Sequence, residues 1–203
     1  MKTWWEEVKS LNENLYGLYR HIDTEVDGHE LLNMTGAIEV GRGTKICHGA
    51  VVRGPVRIGK DCLIGNNAFI RGPSIIGDRV SIGFSCEVKN AIIGDDVWVG
   101  PLCFVADSMV GDGAFFGALV RTSNMMLNKG NIKVMQDGLL VDTGMPKLGA
   151  LISKDVNLGV GVVVLPGRVI LPGTTIGPHI IVDKNLEPGV YTLKQEFVVK
   201  RST

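Results

Sequence analysis

The chain has 203 residues, 27 of them glycine, almost twice the ~7% of average usage, while Phe, Trp and Tyr together make up 6%. Lys plus Arg and Asp plus Glu balance at 21 each, so no basic field exists to gather nucleic acid or an anionic membrane surface. Hydrophobic and charged contents of 45% and 21% exclude disorder, no Gly-X-Y period exists, and no apolar run reaches the ~18 residues of a bilayer span.

The opening residues, MKTWWEEVKS, lack the apolar stretch of a signal peptide, which leads us to expect a cytoplasmic protein. Residues 1–33 read as a helix and a connector. Thr3 and Glu6 can form a capping box, and Trp4, Val8, Leu11, Leu15 and Leu18 share one helical stripe that would pack on the rest of the chain or on a neighbour.

From residue 34 the pattern changes. Aliphatic residues recur every six positions from Val40 through Ile46, Val52, Ile58, Ile64, Ile70, Ile76 and Ile82 to Val88. The series continues at Ile93, Val99, Val105, Val110 and Phe116 and resumes at Ile152, Leu158, Val164, Ile170, Ile176 and Val182, which makes twenty rungs. A period of six fits neither a helix nor a long strand. It fits short strands joined by tight corners, three to a coil, in a triangular parallel β-helix of nearly seven coils. Eleven rungs are followed directly by glycine, as corners with relaxed φ or close backbone approach require. The coils occupy 34–120 and 148–190. Between them, 121–147 break the pattern as a loop excursion with a hairpin turning at Asp137-Gly138, and 191–203 read as a terminal strand and tail.

The four cysteines, at spacings of 15, 24 and 17, make neither a disulfide framework nor a metal site. Cys62, Cys86 and Cys103 fall where the interior takes small side chains. Histidine is scarce and forms no cluster: His21 and His29 precede the repeat, and His48 and His179 lie on distant coils. We therefore expect no metal.

Two corner columns are mostly glycine, but the third reads Thr35, Arg53, Arg71, Lys89 and Ala106. Its three cations stack one coil apart, and each neighbouring pair repels by roughly 1 kcal/mol in water. Either the column holds an anion, with Glu87 and Asp107 nearby to orient hydroxyls or an amine, or it is a solvated face whose arginines pair with carboxylates.

These residues resemble a known family, the left-handed β-helix acyltransferases of the hexapeptide-repeat type. Within it they are similar to the C-terminal domain of bifunctional sugar-1-phosphate nucleotidylyltransferase/N-acetyltransferases. The likeness runs from WEEVKSLNENLYGL (Trp5 to Leu18) through the coils NNAFIRGPSIIGDRVSIGFSCEVKN that end at Asn90. It continues in FVADSMVGDGAFFGALVRTSN (Phe104 to Asn124) and in Lys147-Leu148-Gly149-Ala150. The left hand of the coil comes from the resemblance, since ordinary parallel crossovers are right-handed. The resemblance implies that Arg71 and Lys89 hold a sugar phosphate, that Glu87 and Asn124 orient the sugar, and that Phe104 and Lys147 line the site, with Arg53 as an additional candidate on the anion column. It further implies a homotrimer with sites between subunits, acetyl-CoA as acyl donor along Val160 to Pro172, and a sugar-phosphate or nucleotide-sugar ligand.

Three departures stand out. The family's catalytic histidine falls on Pro101, which cannot take a proton, and His48 shares its column ~14 Å away. Phe104 replaces a phosphate-binding tyrosine, and the nucleotidylyltransferase domain is missing, so a separate nucleotidylyltransferase chain is an expected partner. The catalytic residue stays unassigned; Asp107 or Glu87 could serve as the base. Two functions follow: a CoA-dependent acyltransferase acting on a phosphorylated or nucleotide-linked amino sugar, or a non-catalytic trimer that binds a sugar phosphate or scaffolds a partner.

Overall fold

In a computed structural model, which describes residues 2–18, 21–23, 33–196 and 198–199, the chain winds into a three-sided parallel β-helix. Each side is a parallel sheet of eight strands, and all twenty rungs fall on strands. Four further strands, His21–Ile22, Met34–Thr35, Arg121–Thr122 and Val190–Tyr191, extend the expected coils. The tail adds only the last of these. His29 and most of the 1–33 connector lie outside the described residues.

The rungs point inward and stack on like rungs. On one side Val40, Ile58, Ile76, Ile93, Val110, Ile152 and Ile170 follow one another in register, every one buried. Cys62, Cys86 and Cys103 join this core as free thiols, and burial pushes the Cys62 thiol up. Their Sγ atoms lie 3.1, 3.0 and 3.1 Å from the carbonyls of Gly77, Gly100 and Gly117, one coil further on.

The glycines directly after the rungs serve close approach rather than relaxed φ. Left-handed φ falls two residues further on, at glycines such as Gly43, Gly49 and Gly113 and at non-glycine residues such as Asn67, Ser85, Leu102 and Leu119, the last four at +57°, +52°, +61° and +65°. At Gly77 a Cβ would strike the Asp95 carboxylate and the backbone of Gly94. That carboxylate belongs to a ladder in which Asp78, Asp95 and Asp112 accept the backbone N–H groups of Lys60, Asp78 and Asp95 at 2.7, 2.8 and 2.9 Å.

Outside the helix, α1 (Trp4–Lys9) and α2 (Leu11–Asn14) cover one flank. Glu6 accepts the Thr3 N–H at 2.7 Å, which holds its carboxyl below the usual range. Val8, Leu11 and Leu15 of the expected stripe are buried, and Trp5 joins them, while Trp4 is partly buried. Trp5 and Val8 pack with Ile132, Val134, Met145 and Leu148 in a second core, and Trp4 lies against the same cluster, edge-on to Trp5. The hairpin is present as Lys133–Gln136 paired antiparallel with Leu139–Asp142.

Gly77→Ala should displace Asp95, break its bond to Asp78 N–H and cost about 2 kcal/mol. The check is the denaturant midpoint at unchanged slope; a midpoint equal to the parent's would refute close approach as the reason for the glycine column.

Candidate functional site

The third side carries the candidate residues, on strands Val51–Arg53, Phe69–Arg71, Glu87–Lys89 and Phe104–Ala106. Register places Arg53 beside Arg71, Arg71 beside Lys89, and Lys89 beside Ala106. The cation column is therefore real, but its charges are largely answered from within. Arg71 meets the Glu87 carboxylate at 2.7 Å, and Lys89 meets Asp107 at 3.1 Å. Arg53 has no ion pair among the described residues, and its guanidinium lies over the Phe69 ring, 5.2 Å from the centroid. The carboxylate pairing expected of a solvated face and an unpaired cation, Arg53, thus occupy the same column.

Asp107 is the node of the site. It is buried, in a left-handed backbone with φ +49°, and directly follows Ala106 at the corner. One carboxylate oxygen accepts Asn90 Nδ2 at 2.7 Å; the other accepts Asn124 Nδ2 at 2.5 Å and the Lys89 ammonium. Its backbone carbonyl takes the Gly149 N–H at 2.7 Å, while the Asn124 carbonyl takes the Leu148 N–H at 3.0 Å. The two ends of the excursion are therefore closed on one residue, the first through its carboxylate and the second through its backbone carbonyl. Gly149 cannot be larger, because a Cβ there would meet Ser108 Oγ and the Ala106 carbonyl. With its oxygens so engaged, Asp107 orients its neighbours and is not a free base. This removes one of the two carboxylates the sequence offered.

Lys89, Glu87, Arg71 and Asn124 are brought together around this node, and Phe104 stands next to Glu87 across the strands. Lys147 reaches the site only through the chain: it is exposed, one residue before Leu148. Asn90 escaped the sequence reading, although an asparagine directly after the Glu87-x-Lys89 pair, at the left-handed corner with φ +45°, is a legible signal. The corner bearing Pro101 is exposed. His48 lies three coils below it, connected through the backbone contacts Asn67 N–H to His48, Ser85 N–H to Asn66 and Leu102 N–H to Phe84.

Further along the same corner, beyond Ala106, lies a groove of about 620 Å³. Exposed Met125, Met126 and Leu127 of the excursion form one wall, and Leu165, Pro166 and Arg168 the other. It opens at Ser123, two strands past Lys89, roughly 10 Å away at the strand spacing.

Residues 34–185 match the family model described as the GMPPB C-terminal domain. The chain belongs to this family. It is also 50% identical over 163 residues to an uncharacterized acetyltransferase, YaiX, of Escherichia coli O6:K15:H31, covering 80% of this chain and 71% of that protein. Among solved structures, a mutant perosamine N-acetyltransferase from Caulobacter crescentus, in complex with CoA and GDP-perosamine, is 23% identical at a TM-score of 0.44. That match covers 73% of this chain and half of that one. An Arabidopsis UDP-N-acetylglucosamine acyltransferase is 15% identical at a TM-score of 0.48, covering 77% of this chain and 63% of that one. As a GMPPB C-terminal domain, the chain keeps the family's β-helix from Met34 into its last coil.

Asp107→Ala would leave the Lys89 ammonium without its partner in a mostly buried place and release Asn124, at a cost of about 3 kcal/mol. Hydrogen exchange should show faster exchange at the amides of Leu148 and Gly149, with amides of the first coils unchanged. Uniform acceleration throughout the helix would contradict a local lock.

Proposed function

We propose that this protein transfers an acyl group from acetyl-CoA to the amine of a phosphorylated or nucleotide-linked sugar. The observation that carries this reading is the succession along one corner of a column of cations, a fixed excursion bearing Asn124, and an apolar groove, whose mouth at Ser123 lies three strands, roughly 14 Å, past Arg71. Arg71 takes the phosphate, with Lys89 behind it, while Glu87, Asn124, Phe104 and Lys147 line the sugar's side. The groove fits the acyl donor's extended arm: Met125, Met126, Leu165 and Pro166 offer an apolar lining, and Arg168 a cation at the rim. It falls in the stretch that the family resemblance gives to CoA. Relatives named as acetyltransferases at half identity support the same chemistry.

In this reading the sugar amine attacks the thioester carbonyl, an amide C–N bond forms and the C–S bond breaks, releasing the thiol. No imidazole stands at Pro101, and Asp107 is committed to its donors. The amine proton passes to water or to Glu87, a half-buried carboxylate that Arg71 holds in place.

The anion column is a ridge, and a binding site needs a second wall. We propose that a copy of the same chain supplies it in a homotrimer. The adjoining side exposes Leu63, Phe84, Trp98, Leu102 and Phe115, a run of large apolar groups of the kind that marks an interface.

Thiol release from acetyl-CoA, followed with a panel of amino-sugar phosphates and nucleotide sugars, tests the function. Arg71→Ala should lower kcat/KM at least tenfold, and Glu87→Gln should lower kcat more than it raises KM. Acceptor binding that needs Arg71, with no thiol release from any acceptor, would instead establish the non-catalytic binding protein. For the interface, sedimentation of Trp98→Lys/Phe115→Lys should give a smaller species than the parent. A parent that sediments as a monomer would refute the trimer.

A further inference from the structure

The two cations that the family resemblance assigns to the phosphate are not equally available. Lys89 is 15% exposed and turned onto Asp107. Arg53, on the opposite side of Arg71, is exposed and has no carboxylate partner among the described residues. Counting charge along the column, Arg71 is offset by Glu87 and Lys89 by Asp107. The uncompensated positive charge therefore sits at the Arg53 end.

The two guanidinium groups share one support. The Arg53 Cζ lies 5.2 Å and the Arg71 Cζ 5.6 Å from the centre of the Phe69 ring. Stacking on a ring restrains two long side chains that would otherwise splay apart under their mutual repulsion. Arg71 gives its Nε and Nη2 to Glu87 and keeps its Nη1 side for a ligand, while Arg53 keeps its whole fork. The Arg53 and Arg71 backbones are neighbours in register at the strand spacing of ~4.8 Å. Two phosphoryl groups that share a bridging oxygen match such a pair, one group on the Arg53 fork and the other on the Nη1 side of Arg71. A single phosphoryl group at Arg71 leaves Arg53 without an acceptor.

Direction along the column supplies the second argument. The groove proposed for the acyl donor lies past Lys89 and Ala106, so the reacting end of an acceptor held at Arg71 must point that way. Whatever is attached on the far side of its phosphate then runs toward Arg53.

We infer that Arg53 and Arg71 together clamp a diphosphate, and that the acceptor is a sugar carried on a nucleoside diphosphate rather than a sugar monophosphate. This rests on the reading that Arg71 marks the acceptor's phosphate. Phe69 is the positioning residue of the clamp.

The test is calorimetric binding of a nucleoside diphosphate and the corresponding monophosphate to the full chain and to Arg53→Ala, Arg53→Lys and Arg71→Ala, each first shown to melt like the parent. The parent should bind the diphosphate at least tenfold more tightly, in keeping with one added charge-assisted contact. Arg53→Ala should remove that advantage and leave monophosphate binding within about twofold. Arg53→Lys, which keeps the charge but loses the fork, should recover only part of it. Equal affinities in the parent, or equal losses for both ligands in Arg53→Ala, would overturn the inference. If Arg71→Ala weakens both ligands while Arg53→Ala weakens neither, the acceptor reading survives and the diphosphate clamp falls. If Arg71→Ala changes neither, the acceptor site itself is lost and the clamp with it.

Discussion

In a stack of like coils, every side chain on a face meets its counterpart one strand spacing away, ~4.8 Å, and the backbone offers no means of moving it elsewhere. Inside the prism this constraint is favourable, because Ile58 on Ile76 on Ile93 buries aliphatic surface continuously. At the corners it is steric, and the aspartate ladder over Gly59 and Gly77 leaves no room for a Cβ. On the outer face it is electrostatic. Arg53, Arg71 and Lys89 must lie side by side, so the fold tolerates them only by meeting their charge with Glu87, with Asp107 or with a bound anion.

Asp107 turns that electrostatic compensation into geometry. A buried carboxylate is costly unless its lone pairs are occupied, and here Lys89, Asn90 and Asn124 occupy them. Because these donors come from the coil before it and from the start of the excursion, satisfying the charge fixes where the excursion leaves the helix, and the Asp107 backbone carbonyl takes the Gly149 N–H where it returns. The far side of the excursion is held separately, by Trp5 and Val8 of α1 against Ile132 and Leu148. The N-terminal helix and the excursion thus share a small second core, although more than a hundred residues separate them in the chain.

The repeat was readable because its period is fixed by geometry, and so all twenty rungs and the register of the cation column could be counted off directly. Thr122 was missed as a rung because it is polar; it is nevertheless fully buried, its hydroxyl accepting the Ala106 N–H at 2.9 Å. Ile22 and Tyr191 were missed because they stand outside an unbroken six-residue series, and Met34, six residues before Val40, because its side chain is not a branched aliphatic. The side chains around the site were less legible than the backbone beneath them. Spacing placed Arg71 near Glu87 and Lys89 near Asp107, but whether each pair closes depends on rotamers and burial, which a linear pattern does not carry. The glycine excess suggested two causes, relaxed φ and close approach. Both operate, at different positions: directly after the rungs the structure selects close approach, and the left-handed φ falls further round the corner on Gly43, Gly49 and Gly113 as well as on Asn67 and Leu119.

Pro101 in place of a histidine weighs less on acyl transfer than it first suggests. General base catalysis contributes about 10²–10⁴-fold, whereas holding two reactants in a productive orientation reaches effective molarities of about 10⁵–10⁸ M. The larger of these effects depends on rigidity, which the β-helix provides. The Lys89–Asp107–Asn124 lock fixes the surface between column and groove, with hydrogen bonds to the carboxylate of 2.5 and 2.7 Å. Removing an imidazole from such a corner leaves that fixed separation untouched. It also makes turnover sensitive to the acceptor's own basicity, since an amine that is uncharged near neutral pH needs no base before it attacks. In the proposed acyl transfer, substrate choice and catalytic rate are then set by the same few residues, those proposed to hold the phosphate and thereby to decide where the amine stands.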